Sequence, residues 1–177
     1  MKWFVFDWET TGLIANTQRP LTKQPHGIEL YGCVLDTETF AIMDEIDTFL
    51  DPGVPITAEI TKITGITAEM LVGAPKFDQI ADRLRGLIEG SDAVLAHNLS
   101  YDKPLTDFEF ARINQGLQWP QLICSLEATE FVKGYRLSLT ALHEELFGEP
   151  FTGQHRAKQD VQALTRCVVE MIKRGWL

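Results

Sequence analysis

Two carboxylates, Asp7 and Glu9, close a run of large apolar residues, Trp3-Phe4-Val5-Phe6, near the start of the chain. Residues i and i+2 of a strand point to one face, so the pair would project together, about 6.7 Å apart at the backbone. Two anions held side by side on a rigid strand repel each other unless a cation lies between them. The alternative is a strand end that reaches solvent, with both acids hydrated. Partners for a cation site must come from elsewhere in the chain, and two clusters have suitable chemistry. His97-Asn98-Leu99-Ser100-Tyr101-Asp102 follows a short apolar run, and His155-Arg156-Ala157-Lys158-Gln159-Asp160 opens a helical stretch near the C-terminus. Five residues of an ideal helix turn through about 500°, leaving roughly 140° between His155 and Asp160. Both can face one site only if His155 precedes the helix, on the loop following Gly153. A second D-x-E-T, Asp36-Thr37-Glu38-Thr39, has no closely preceding apolar run and no following Thr-Gly, and reads as a solvated turn.

The elements that must position these residues follow from periodicity. Trp3–Phe6 reads as a strand buried on both faces. Ile28–Leu35 and Phe40–Leu50 read as two more strands, with Asp36–Thr39 as their hairpin turn. Between Leu13 and Gly27 lies a polar segment with Pro20 and Pro25, long enough to be either mobile or functional. Thr57 can cap a short helix with Ile60 and Ile63 inward, ending near Gly65, and Thr67 can start a brief turn. Pro75–Ile88 has Phe77, Ile80, Leu84, Leu87 and Ile88 at helical spacing. Ala93–Ala96 is a short buried strand that leads into His97-Asn98 and a helix to about Asn114, with Phe108, Phe110 and Ile113 as core. Pro104 fits that helix only in its first turn. Leu122–Cys124 gives a fifth strand, Ser125 and Ser138 each cap a helix, and Ala157–Lys173 forms the last one. The order predicts an α/β fold: a mixed five-stranded sheet, a three-strand antiparallel meander plus parallel strands, flanked by helices. Sites in such sheets form beyond the carboxyl ends of central strands, where Asp7 and Glu9 lie.

Composition sets outer bounds. The 177 residues are most simply one domain spanning 1–177. A net charge of −9 argues against coating nucleic acid by bulk attraction, but not against meeting phosphates through cations held on carboxylates. Cys33, Cys124 and Cys167 are odd in number and widely spaced, which points to free thiols in a reducing compartment. The apolar run after Lys2 is too short for a signal-peptide core, and no stretch approaches membrane-spanning length. A cytoplasmic protein with no membrane partner is expected.

The three clusters together resemble the DEDD superfamily of 3′–5′ exonucleases. Its motif D-x-E-T-T-G matches Asp7 through Gly12, H-N-x-x-x-D matches His97 through Asp102, and H-x-A-x-x-D matches His155 through Asp160. His155 lies five residues before Asp160, as in the branch of the superfamily with a histidine there (DEDDh). Within that branch the chain is most similar to the proofreading (epsilon) subunits of bacterial replicative polymerases. It departs from them at Thr64, where histidine is usual, and at Cys124-Ser125-Leu126, where Asp-Thr-Leu is common. The resemblance implies a ribonuclease H-like fold and two divalent ions, Mg²⁺ or Mn²⁺. It implies that Asp7 bridges them, that Glu9 and Asp160 complete one, and that Asp102 supports the other. His155 would be the general base, an ordinary imidazole pKa of about 6.5 suiting proton removal from the attacking water. Activity would then rise from acidic pH toward 8. The resemblance also places Thr10, Thr11, Gly12 and Leu13 beside the terminal nucleotide and Asn98 near the scissile bond. The expected partner is a nucleic acid 3′ end, single-stranded DNA before RNA, with a polymerase or a second copy as possible protein partners. An exoribonuclease would use the same five residues, since the 2′-hydroxyl is read by other contacts. A non-catalytic binding module would be expected to lack one of the acids. Among the remaining residues, Trp8 and Tyr101 read as core before stacking platforms. Arg19, Lys23, Arg156 and Lys158 are candidate phosphate contacts, and His143 reads as a helix-surface residue.

Overall fold

The computed structural model describes residues 1–14, 16–151 and 155–177. Five strands form one sheet: β1 (Lys2–Thr10), β2 (Gly27–Asp36), β3 (Ile42–Phe49), β4 (Ala93–Ala96) and β5 (Gln121–Cys124), in the order β3-β2-β1-β4-β5. β1–β2 and β2–β3 pair antiparallel, while β1–β4 and β4–β5 pair parallel. The helices are α1 (Ala58–Thr64), α2 (Phe77–Glu89), α3 (Leu99–Arg112), α4 (Ser125–Lys133), α5 (Leu139–Phe147) and α6 (Ala157–Lys173). The mixed sheet and the element order agree with the expected fold class.

The alternation of β1 divides the core. Phe4, Phe6 and Trp8 pack with Phe77, Leu84 and Ile88 of α2 and with Leu105 and Phe110 of α3. Trp3 and Val5 pack on the other face with Tyr31, Cys33 and Leu35 of β2 and Val161, Leu164 and Val168 of α6. Period-2 geometry then sends Asp7 and Glu9 to the α6 face, directly beyond Trp3 and Val5. The β1–β2 register shifts between Glu9 and Thr10, where Ile28 is the extra residue on β2. Such bulges end regular pairing and re-aim side chains beside functional sites. Gly27 faces the bulge because the Trp8 ring leaves no room; a Cβ there would lie 2.5 Å from it.

Several local expectations change. Phe40 has φ +59 and lies in the turn, so β3 begins at Ile42. Thr57 caps α1 by accepting the Ile60 N–H at 3.3 Å, yet Ile63 is half exposed and faces a cleft instead of the core. Pro104 sits in the second turn of α3, not the first. The helix tolerates the lost bond to the Ser100 carbonyl because Leu99, Leu105, Thr106 and Phe110 are buried along it. Ser125 is the first residue of α4, not its cap, and its hydroxyl lies 2.9 Å from His97 Nδ1. Ser138 does cap α5, accepting the Ala141 N–H at 3.3 Å. His143 is buried, donating from Nδ1 to the Glu149 carbonyl at 2.7 Å and accepting from Arg166 Nη1 at 3.2 Å. The segment between Leu13 and Gly27 is tied down in its described part. Arg112 Nη2 donates to the carbonyls of Leu21, Gln24 and Pro25 at 3.2, 3.0 and 2.9 Å. No helix among the described residues is long and apolar enough to cross a membrane.

Candidate active site

β1 runs parallel to β4, so the two strands end at one edge of the sheet. β1 delivers Asp7 and Glu9 there, β4 leads into α3 with Asp102 in its first turns, and α6 lays Asp160 across the α6 face. One carboxylate oxygen from each of Asp7, Glu9 and Asp160 lies within 4.8 Å of the others. Asp102 stands outside that trio but is buried beside it, and it is the strongest of the charges acting on Asp7.

The cluster is costly to keep ionised. Burial, and then repulsion led by Asp102 and Glu9, raises Asp7 well above the ordinary carboxylate range. Burial also raises Asp102, against main-chain N–H groups of Trp8 and Asp102 that favour its charge. Glu9 is pushed up to about 8 by burial, then by Asp160, Glu29 and Asp102. Asp160 rises to about 6, again chiefly through burial. Oδ1 of Asp102 and Oδ1 of Asp160 are both buried without a hydrogen-bond partner. Orphaned buried carboxylate oxygens are rare, and convergent hard oxygen donors without a thiol among them suit Mg²⁺ or Mn²⁺.

His155 precedes α6, as the helical-angle argument requires. Its φ of +65 places it in the left-handed region, and its N–H donates to Asp160 Oδ2 at 3.1 Å. The loop after Gly153 invoked for its approach lies outside the described residues, at residue 154. His155 is exposed and stands where two clefts meet. The first, about 590 Å³, is walled by Glu9, Thr10, Thr11, Gly12, Leu13, Tyr101, Ile60 and Ile63 among others. Leu13 is 86% exposed at its mouth. Tyr101 Oη donates to the Gly12 carbonyl at 2.7 Å and lies 2.6 Å from Thr10 Oγ1, while Thr11 Oγ1 accepts the His26 N–H at 2.9 Å. The first cleft wall is thereby fixed to α3 and to His26, the residue before β2. The second cleft, about 540 Å³, contains Asp7, His97, Asn98, Ser138, Leu139, Thr140 and Asp160. Asn98 adopts φ +69, a conformation asparagine tolerates, and its Oδ1 accepts from Ser100. Burial lowers His97 to about 4, so the ring is neutral and braces Ser125 at neutral pH.

The structure therefore gathers Asp7, Glu9, Asp102, His155 and Asp160 at one edge, with Thr10 to Leu13 on one side and Asn98 on the other. Trp8 is core, its Nε1 donating to Thr106 Oγ1 at 2.9 Å, and it also joins Tyr101 in lining the first cleft. Two proposed phosphate contacts are engaged elsewhere. Arg156 is forked onto Glu29, and Lys158 pairs with Asp47 at 2.7 Å. Sequence reasoning missed the cleft walls Ile63, Ser138 and Thr140, whose types carry no signal. It also missed Glu29, which did carry one: an acid inside the buried run Ile28–Leu35.

Comparison with known proteins adds an independent line. The sequence profile of the RNase T-type exonuclease family matches residues 4–168. A PolC-type DNA polymerase III of Halalkalibacterium halodurans is 31% identical over 173 residues, covering 96% of this chain and 11% of that protein. The DNA polymerase III subunit epsilon of Pasteurella multocida is 29% identical over 147 residues, 80% of this chain and 56% of that one. Thus the chain spans only 11% of its PolC-type relative and about half of its epsilon relative. Among solved structures, the nuclease domain of 3′hExo, a DEDDh family member bound to rAMP, aligns with a TM-score of 0.79 at 19% identity. That alignment covers 98% of this chain and 92% of the other. Exonuclease X in complex with 5′ overhanging duplex DNA gives 0.71 at 20% identity, covering 99% and 94%. At these identities the structural likeness establishes a shared fold.

Proposed function

Because the chain belongs to the RNase T-type exonuclease family, we propose that it is a DEDDh-type enzyme that removes nucleotides one at a time from the 3′ end of single-stranded or frayed DNA, releasing nucleoside 5′-monophosphates. The observation that carries this reading is the juxtaposition of three carboxylates within 4.8 Å of one another and a cleft of about 590 Å³ lined by one of them, Glu9, and by His155. Residues 1–177 are read as a single exonuclease domain.

In this proposal Asp7, Glu9, Asp102 and Asp160 hold two divalent ions, Mg²⁺ or Mn²⁺. When bound, the ions supply Lewis-acid stabilisation of the phosphoryl charge and make the attacking water more acidic. The orphaned Oδ1 atoms of Asp102 and Asp160 fit that load, since a cation would satisfy both. His155 accepts the proton of the attacking water on its imidazole. Its place where the clefts meet lets it face a scissile phosphate lying over the acids. Thr10, Thr11, Gly12 and Leu13 grip the terminal nucleoside, with Leu13 and Ile63 offering apolar surface to its base. Asn98 contacts the sugar-phosphate on the other side of the acids. The DNA polymerase III relatives support a proofreading role and a polymerase partner.

The test is degradation of 5′-labelled single-stranded DNA, mismatched duplex DNA and RNA, each with Mg²⁺, Mn²⁺ or EDTA. The expected result is stepwise shortening of single-stranded and mismatched DNA with either metal and none with EDTA. Endonucleolytic products, or equal cleavage in EDTA, would overturn the reading. Faster shortening of RNA would reassign the substrate.

A further inference from the structure

A carboxylate in the middle of a buried strand must be neutralised or it costs the fold heavily. Glu29 is such a group: its side chain is 4% exposed, on β2, directly opposite Glu9 of β1. Opposed residues of an antiparallel pair share a face, so Glu29 lies beside the acid cluster yet outside the trio that converges. Its charge is spent on the start of α6. Arg156 Nε donates to Oε1 and Oε2 at 3.2 and 3.1 Å, and Nη2 donates to Oε1 at 2.8 Å. The Ala157 N–H, the first of α6, donates to Oε2 at 3.0 Å. No local side chain caps this helix, so the cap arrives from a strand 128 residues away.

The clamp lies between two functional groups, His155 and Asp160. His155 sits directly before Arg156 in a left-handed conformation that a non-glycine residue adopts only when its surroundings fix it. On the other side of the clamp, Asp160 lies one helical turn from Ala157 and accepts the His155 N–H. Fixing Arg156 and Ala157 therefore fixes His155 and Asp160 together. Arg156 also stacks over the Phe49 ring, 5.5 Å from its centroid, which keeps the guanidinium in one plane.

We infer that Glu29 is a positioning residue which, through Arg156 and the N-terminus of α6, sets Asp160 at the distance from Asp7 and Glu9 that a divalent cation needs. The inference rests on the metal-dependent reading above. Residues that orient metal ligands typically change metal affinity by about 10–100-fold when removed. Glu29 walls neither cleft, so it acts on the cation and not on the grip of the nucleotide.

Isothermal titration of the full chain with Mn²⁺ alone tests this, comparing wild type, Glu29→Gln, Arg156→Gln and the double variant, with near-ultraviolet circular dichroism to verify each fold. Glu29→Gln should weaken Mn²⁺ binding about tenfold or more, and the double variant should be no weaker than the worse single one, because both residues act through one clamp. Arg156→Gln, altering the more exposed partner, carries the same test if Glu29→Gln does not fold. Mn²⁺ affinity within twofold of wild type in a folded single variant, or fully additive losses, would overturn the clamp while leaving the nuclease reading intact. If wild type itself bound no Mn²⁺, the metal-dependent reading would fall, and the clamp with it.

Discussion

Glu9→Gln offers a quantitative test of the electrostatics, because its carboxyl is both buried and opposed by other acids. A group whose pKa rises from 4.5 to about 8 on folding binds more protons folded than unfolded across that interval. Stability from this group is therefore fully present below pH 4.5 and is lost as pH rises through about 8. At pH 7 the cost is about 3 kcal/mol, a tenfold change in proton affinity being about 1.4 kcal/mol. Glutamine mimics the protonated form without that cost. For a chain of this size about 1 kcal/mol moves Tm by roughly 2–4 °C, so metal-free Glu9→Gln should melt roughly 6–12 °C above wild type at pH 7. At pH 4.5 the two should melt within a degree or two of each other, because Glu9 keeps its proton in the fold at both pH values but at pH 4.5 is also about half protonated in the unfolded chain. Mn²⁺ should close most of the gap at pH 7. At a hundredfold excess over Kd it contributes about 2.7 kcal/mol to wild type, roughly 5–11 °C, and much less to the variant. Differential scanning calorimetry at pH 4.5 and 7, with Mn²⁺ and with EDTA, reads all four values. A variant that melts below wild type at pH 7 without metal, or that gains as much as wild type from Mn²⁺, would refute the reasoning.

Further outcomes follow from particular contacts. His155→Ala should lower kcat on single-stranded DNA by about 10²–10⁴, the usual range for a general base, with KM changed little; retention of most of the wild-type rate at saturating Mg²⁺ would remove it from that role. Asp7→Asn should erase most of the melting-temperature gain from Mn²⁺, and a gain equal to wild type would rule out its proposed bridging position. Tyr101→Phe deletes the hydroxyl shared by Thr10 and the Gly12 carbonyl. At about 0.5–1.5 kcal/mol for such a bond, KM for single-stranded DNA should rise roughly two- to tenfold, and an unchanged KM would show that the first cleft wall does not depend on it. Gly27→Ala drives a Cβ into the Trp8 ring and should destabilise by about 1–3 kcal/mol in urea unfolding, whereas a neutral result would mean that β2 shifts freely at the bulge.

Much of the fold was legible because its signals are local. The uninterrupted apolar run before Asp7 marks a strand covered on both faces, and the spacing of Phe77, Leu84 and Ile88 marks a helix with one buried stripe. Thr57 and Ser138 cap where their side chains can reach the next turn. The parallel pairing of β1 and β4, which lie with two strands and two α-helices between them, was left open by the sequence and is decided by the sheet. Local rules misled where two elements compete for one residue. Ser125 has a capping residue's chemistry, but burial beside His97 engages its hydroxyl. Ile63 has a core residue's chemistry, but α1 has too few turns to bury a whole stripe, and its outer side walls a cleft.

The sequence alone determined which residue types the site contains and on which elements they ride, since a strand's alternation and a helix's pitch are properties of the chain itself. It put Asp7 and Glu9 on one face and required His155 to stand before α6. Tertiary structure decided which charges are free. Arg156 and Lys158 read as open cations until β2 and β3 supplied Glu29 and Asp47. It also decided that Asp7, Glu9 and Asp160 meet while Asp102 stands buried beside them. The physical reason is that ion pairing and desolvation depend on distances through space, and those are set by how α6 packs across β1 and β2, more than a hundred residues from the acids it completes.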